Sequence, residues 1–173
     1  QNIAEEVIEE IQVVEQPTTT STSTTVQSLM KRQFPFSCSA SSSLGDGWSC
    51  EKIYDNEPSS WQDKSLECAD ATLEFTFSKD VYFEFLTYEN LDDSKSFKRN
   101  FKPRDILITS EEEGFSIEYE LENQNTSTQW IDLNTTTSVI TIQILSAYPG
   151  EEVNGAEAFP ECAIQEITFY GRG

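Results

Sequence analysis

The stretch Thr72-Leu73-Glu74-Phe75-Thr76-Phe77 alternates polar and apolar residues one by one. Successive side chains of a β-strand point to opposite faces, so a period of two predicts a strand with one buried face. Similar short apolar or alternating segments follow at 81–85, 106–108, 115–121, 140–144 and 164–170. Clusters of Asp, Asn, Gly, Pro and Ser separate them, and no long helical period lies between them. This pattern predicts an all-β fold, an antiparallel jelly-roll β-sandwich.

The chain divides near Phe34. Residues 1–33 contain no cysteine and no Phe, Tyr or Trp, whereas the rest of the 173-residue chain is rich in both classes. A chain of this length usually forms one compact domain. We therefore expect a single sandwich domain over residues 34–173 and an extended N-terminal arm over residues 1–33.

The arm has three parts. Residues 3–14 place apolar side chains at helix-like intervals among glutamates, but most of these side chains are β-branched and suit a strand as well. The Thr/Ser run at 18–25 has no apolar residue and predicts an extended or O-glycosylated linker. The dibasic pair Lys31-Arg32 follows, and it is either a proteolytic processing site or an ordinary solvated pair.

The charge and the residue inventory exclude several function classes. The chain has 11 Lys and Arg against 31 Asp and Glu, a formal charge of −20, which repels nucleic acid and anionic lipid. No apolar run is long enough to span a membrane. Histidine is absent, which removes Ser-His-Asp and Cys-His catalysis, and no Gly-rich phosphate loop is present. Glycoside hydrolysis by a pair of carboxylates remains chemically possible. With 31 Asp and Glu residues, however, finding a candidate pair in the sequence is no evidence for that activity. We expect no enzymatic activity.

The cysteines and sequons predict a secreted glycoprotein. An even set of cysteines without a C-x-x-C pair predicts two disulfides, although spacing alone cannot rank the three possible connectivities; the cysteines are Cys38, Cys50, Cys68 and Cys162. Two N-glycosylation sequons begin at Asn125 and Asn134 in a polar stretch. The chain opens on Gln1 rather than Met, which favours a mature terminus left after signal-peptide removal. All three features predict an extracellular location.

Three segments carry a resemblance to a known family. They are a Ser-rich strand at 38–43, the turn Asp55-Asn56-Glu57-Pro58-Ser59-Ser60-Trp61, and a last strand at 163–171. In this order residues 36–172 resemble the galactose-binding-domain-like, or discoidin-like, jelly roll of coagulation-factor C-terminal domains and many carbohydrate-binding modules. The turn is one residue shorter than the family pattern, so the equivalent of the family's Thr is either Ser59 or Ser60. Asn56 replaces the usual Gly, which is tolerable because Asn also adopts positive φ.

The resemblance implies three further features. It implies a structural Ca²⁺ bound by Asp55 and Glu166, whose hard oxygen ligands suit that ion; a turn-capping Asp55 and a solvated Glu166 explain the same residues equally well. It implies a Cys68–Cys162 disulfide, which leaves Cys38 to pair with Cys50. It also implies loop aromatics for stacking on sugars. Candidates are Trp48, Trp61, Trp130 and Tyr148, but a core position explains each of them as well, so the sequence assigns no ligand-binding residue.

Three functions follow from these observations. The first is a structural subunit of an extracellular fibre or coat, in which the arm packs on another copy and builds a homo-oligomer or filament. The alternative is a carbohydrate-binding or adhesion module whose partners are glycans. The third is an accessory domain of a glycosidase. Fold alone does not choose among them.

Overall fold

The structure, a computed structural model, describes residues 29–64, 66–68 and 70–173. The predicted helix or strand and the Thr/Ser linker of the arm lie outside these residues. Within the described part of the chain, no helix has the length and apolar character needed to cross a lipid bilayer.

The described residues form eleven strands, one short α-helix and three short 3₁₀ turns. The strands are β1 Lys31–Gln33, β2 Ser37–Ala40, β3 Trp61–Gln62, β4 Thr72–Glu89, β5 Lys102–Pro103, β6 Asp105–Ser110, β7 Ser116–Glu120, β8 Gln129–Ile144, β9 Ala147–Tyr148, β10 Ala163–Ile164 and β11 Glu166–Arg172. The helix α1 is Ser94–Arg99, and the 3₁₀ turns are Asp46–Trp48, Cys50–Ile53 and Leu66–Cys68. The all-β prediction is confirmed.

Two long strands build both layers of the sandwich. β4 and β8 pair along almost their whole length, with a register break between Thr76 and Val81. Before the break β4 pairs with β2, and β8 continues to β6 and β7; after it, β4 pairs with β11 and β11 with β1. The predicted strands at 72–77 and 81–85 are therefore the two halves of one strand that passes from one layer to the other.

The two layers meet in an aromatic core. Phe169 on β11 contacts Phe75 at 5.0 Å between ring centroids, Phe77 at 5.3 Å and Phe83 at 5.9 Å. All four rings are buried. Because Phe75 and Phe169 lie on opposite halves of the sheet, their contact holds the layers face to face. Trp61 packs fully buried beside them, and its indole N–H donates to the Ser42 carbonyl at 3.0 Å.

The sheet begins before the expected boundary at Phe34. β1 pairs with β11 through the partners Lys31 with Gly171, Arg32 with Tyr170 and Gln33 with Phe169. The last residues of the predicted arm are therefore an edge strand of the domain, because their main-chain groups complete the ladder of β11.

Two disulfides close the domain. One joins Cys38 on β2 to Cys50, and the other joins Cys68, just before β4, to Cys162, just before β10. No free cysteine remains. The Cys68–Cys162 bond spans 94 residues and ties the start of the longest strand to the segment just before β10.

Candidate functional site

A large cleft lies on the outer face of the layer formed by β11, β4 and β8. Its volume is about 450 Å³. The strand register places Thr87 of β4 between Thr168 of β11 and Trp130 of β8. One row further along, Phe85 lies beside Tyr170. The outward positions of three neighbouring strands therefore form the floor of the cleft.

Three rings form an aromatic patch at one end of this floor. Phe85 stacks on Tyr170 at 4.8 Å and contacts Trp130 at 4.9 Å between centroids. Trp130 nevertheless remains 59% exposed. Single exposed aromatic side chains are common, but contiguous exposed rings beside a groove are typical of a binding surface.

Two recessed hydroxyl groups lie beside the patch. Thr87 and Thr168 are only 5% and 6% exposed. The Thr168 hydroxyl donates to Glu166 at 3.4 Å. The floor thus combines apolar ring faces with small polar groups, the combination that orients a polar ligand with an apolar face.

Arg32 and Glu166 form one wall of the cleft. The Arg32 guanidinium donates to Glu166 Oε1 at 2.6 Å, and the Asn56 main-chain N–H donates to Glu166 Oε2 at 3.1 Å. Burial raises the pKa of Glu166, and the hydrogen bonds from Asn56 and Arg32 oppose that rise. Arg32 reaches this carboxylate from β1, so the edge strand contributes directly to the cleft.

The cleft is also acidic beside Glu166, whose cross-strand partner is Glu89, and it continues into a second, smaller cleft of about 200 Å³. Glu89 accepts a hydrogen bond from the Thr128 hydroxyl at 2.9 Å, and the Asp92 N–H donates to the Gln165 side chain at 2.9 Å. These four residues line both clefts. The two clefts therefore adjoin and form one groove that ends at Asn125.

The two calcium ligands implied by the family resemblance, Asp55 and Glu166, each have protein partners in this structure. The Asp55 carboxylate accepts hydrogen bonds from the Ser59 hydroxyl at 2.7 Å and the Glu57 N–H at 3.0 Å, and Glu166 is bound by Arg32. Among the described residues, no group of three or more His, Cys, Asp or Glu side chains could hold a metal ion. Asp55 thus caps the turn, and Glu166 is paired rather than solvated.

Only one of the two predicted glycosylation sites, Asn125, lines the groove. Asn125 lines its far end and donates to the Asp92 carbonyl at 3.4 Å. Asn134 is exposed on β8, beyond Trp130, and accepts from the Tyr82 hydroxyl at 3.1 Å. Glycosylation of either residue stays a prediction.

The four candidate aromatics separate into different environments. Trp61 is buried in the core, whereas Trp48 is 42% exposed and does not line the cleft. Tyr148 is partly buried, and its hydroxyl donates to the Leu121 carbonyl at 3.0 Å. Trp61 therefore has the core position, whereas Trp48 and Trp130 do not. Because Ile131 and Leu133 face inward, alternation turns Trp130 outward, a signal that was present in the sequence.

Solved structures of other proteins share this arrangement of strands. The family 32 CBM of C. perfringens NanJ, in complex with galactose, superposes with a TM-score of 0.60 at 14% identity, over 82% of this chain and 99% of that chain. The F5/8 type C domain of a Bacteroides fragilis protein superposes with a TM-score of 0.53 at 12% identity, over 79% and 91%. The fold is the discoidin-like jelly roll.

The discoidin-like fold also occurs as part of longer proteins. A truncated AlyQ with CBM32 and alginate lyase domains superposes with a TM-score of 0.58 at 12% identity, over 84% of this chain but 34% of that chain. No family model matches the sequence, and no curated protein matches it.

Proposed function

We propose that this discoidin-like domain is a non-catalytic carbohydrate-binding module, and that the groove on the outer face of β11, β4 and β8 is its sugar site. The observation that carries the proposal is the exposed Trp130, fixed by Phe85 beside the recessed hydroxyls of Thr87 and Thr168. The apolar face of a pyranose stacks on the indole, and its hydroxyls exchange hydrogen bonds with the threonines and Gln165.

The charge of the groove favours neutral sugars. Carboxylates of Glu57, Glu89 and Asp92 line it, and its one cation, Arg32, is already paired with Glu166. A uronate or sialate would bring a further negative charge next to these carboxylates and to a chain of net charge −20. The galactose bound by the NanJ module is a neutral sugar of the kind we expect here.

A glycan array tests the proposal. The array carries neutral, uronate-bearing and sulfated glycans and is probed with the wild-type protein and with Trp130→Ala. Loss of the stacking platform should reduce affinity for the bound neutral glycan about tenfold, equivalent to roughly 1.4 kcal/mol. Trp48→Ala is the matched control, since it removes an exposed indole outside the groove. Equal loss in both variants, or binding only to anionic glycans, would contradict the proposal.

We further infer that the protein is a secreted glycoprotein, an inference supported by the two disulfides and the two sequons. A glycan on Asn125 would border the groove. Enzymatic deglycosylation of natively sourced protein followed by mass spectrometry should convert both asparagines to aspartate. Unmodified asparagines at both positions would contradict the secretory route.

Assembly through the arm is the second candidate function. The observation in its favour is β1, which among the described strands pairs with β11 alone and is flanked by the exposed apolar side chains of Leu29, Phe34 and Phe36. Edge strands and exposed apolar groups are ready contacts for a second copy. We propose that residues 1–28 pack on a neighbouring copy of the domain and so build a fibre or coat.

Light scattering tests this assembly. The full chain should form larger particles than a variant that starts at Leu29 and keeps β1 intact. High salt should promote association, because it screens the repulsion between copies of net charge −20. Equal particle sizes for both chains would contradict a role of the arm in assembly.

A further inference from the structure

Two oxygen atoms of the turn at 54–56 and one carboxylate oxygen of β11 converge on the guanidinium of Arg32. Glu166 Oε1 lies 2.6 Å from Nη2, the Tyr54 main-chain oxygen lies 3.2 Å from Nη2, and Asn56 Oδ1 lies 2.8 Å from Nη1. A carboxylate, an amide oxygen and a backbone carbonyl therefore surround one positive group. These are the hard oxygen ligands that proteins use to bind Ca²⁺.

The backbone of the turn is shaped to deliver these oxygens. Asn56 adopts φ 59°, the left-handed region in which asparagine is better tolerated than most residues. Its N–H donates to Glu166 Oε2 while its side-chain oxygen accepts from Arg32. The turn and β11 are thus joined directly, by the bond between Asn56 and Glu166, which are 110 residues apart. They are also joined through the guanidinium of Arg32, which lies 134 residues before Glu166.

The paired groups are largely shielded from water. The side chain of Arg32 is 22% exposed and that of Glu166 is 10% exposed. A carboxylate at this depth requires a cationic or hydrogen-bonding partner, and removal of the partner leaves a charge with poor solvation. β1 holds Arg32 beside Glu166, because the main chain of β1 is paired with that of β11.

We propose that the Arg32 guanidinium is the resident cation of this oxygen site and takes the place of a structural metal ion. The carboxylate and amide oxygens that would ligate Ca²⁺ bind Arg32 instead, and the second carboxylate implied by the resemblance, Asp55, is engaged by Ser59 and Glu57. The fold therefore needs no bound metal at this turn. Arg32 and Glu166 line the proposed sugar cleft, but this inference does not rest on sugar binding.

Melting temperatures of the full chain test the proposal. Wild-type protein should melt at the same temperature in EDTA and in millimolar CaCl₂ at matched ionic strength. Arg32→Ala in EDTA should melt about 5 °C lower, since the carboxylate loses its cation. Addition of CaCl₂ should recover a measurable part of that shift, because the emptied oxygens now accept the metal, and MgCl₂ should recover less.

Two controls separate this site from general charge effects. Arg172→Ala removes an exposed guanidinium that bonds one carboxylate, Glu84, at 3.2 Å, and should show neither the loss nor the calcium response. Arg32→Ala combined with Glu166→Gln should lose the calcium response of the single variant, since the charged ligand is gone.

Two results would overturn the proposal. A wild-type melting temperature that falls on chelation would show that the native protein holds a structural metal. An Arg32→Ala variant with the same calcium response as Arg172→Ala would show that the three oxygens are ordinary hydrogen-bond partners. The wild-type measurement stands even if a variant fails to fold.

Discussion

At the scale of single residues, the direction of a side chain on its strand decides what the residue does. Phe169 and Tyr170 are neighbours on β11, yet the first joins the core and the second joins the outer aromatic patch. Trp130 and Ile131 divide in the same way on β8. Each strand of this layer therefore contributes to stability with one face and to the proposed site with the other.

Phe169→Ala should be among the most destabilising single substitutions. Its ring contacts Phe75, Phe77 and Phe83 across both layers, so truncation leaves a cavity at the centre of the core. We expect a loss of about 3–5 kcal/mol in the free energy of unfolding. Phe36→Ala, at a 78% exposed position, is the control and should change stability by less than about 0.5 kcal/mol. Urea denaturation of both variants measures the difference, and similar losses would contradict the assigned core.

Residue-level features were predictable where they depend on local pattern. The alternation at 72–77 predicted the strand. The family resemblance implied a turn at Asn56, and the tolerance of Asn for positive φ agrees with its φ of 59°. The partner of Arg32 was not predictable, because Glu166 lies 134 residues away and the pair exists only once β1 joins β11. Lys31-Arg32 looked like a solvated or processed pair for that reason.

At the scale of elements, β11 holds the layer together. It pairs with β1 on one side and β4 on the other, and its register shifts between Tyr170 and Gly171. At Gly171 an added Cβ would lie 2.3 Å from the Tyr82 carbonyl oxygen. The irregularity thus brings two backbones closer than any side chain allows.

Gly171→Ala should therefore weaken the β11–β4 ladder. Relief of the clash requires a backbone shift, and we expect a loss of about 1–3 kcal/mol. Gly47→Ala is the matched control, since nothing lies within 4 Å of its added Cβ. Thermal unfolding should place the Gly171 variant well below the control. Equal melting temperatures would contradict the close approach.

The two disulfides should contribute unequally. In the chain-entropy account, a bond that closes a longer loop removes more freedom from the unfolded chain. The Cys68–Cys162 bond spans 94 residues and should stabilise by about 4–5 kcal/mol, whereas Cys38–Cys50 spans 12 and should contribute about 3 kcal/mol. Paired Cys→Ala variants compared by denaturant unfolding measure this order. A non-reduced peptide map that links Cys50 to Cys68 would contradict the pairing itself.

At the scale of the whole molecule, one bent sheet produces both a closed core and an open groove. Short-range pattern predicted the strands and the jelly-roll class, because burial on one face enforces alternation. It did not predict that β4 and β8 each run through both layers, since the bend between Thr76 and Val81 depends on pairing with distant strands. The groove could not be located for the same reason, because its walls come from β1, the 55–58 turn, β4, β8 and β11.

The indole N–H signals of the three tryptophans test the sugar site most directly. A nitrogen–proton correlation spectrum of the full chain should show one signal each for Trp48, Trp61 and Trp130. Titration with a neutral glycan selected on the array should shift the Trp130 signal. The Trp61 signal should stay, since its N–H is buried and bound to the Ser42 carbonyl, and the Trp48 signal should stay because it lies outside the groove. A shift at Trp48 with none at Trp130 would contradict the groove as the binding site.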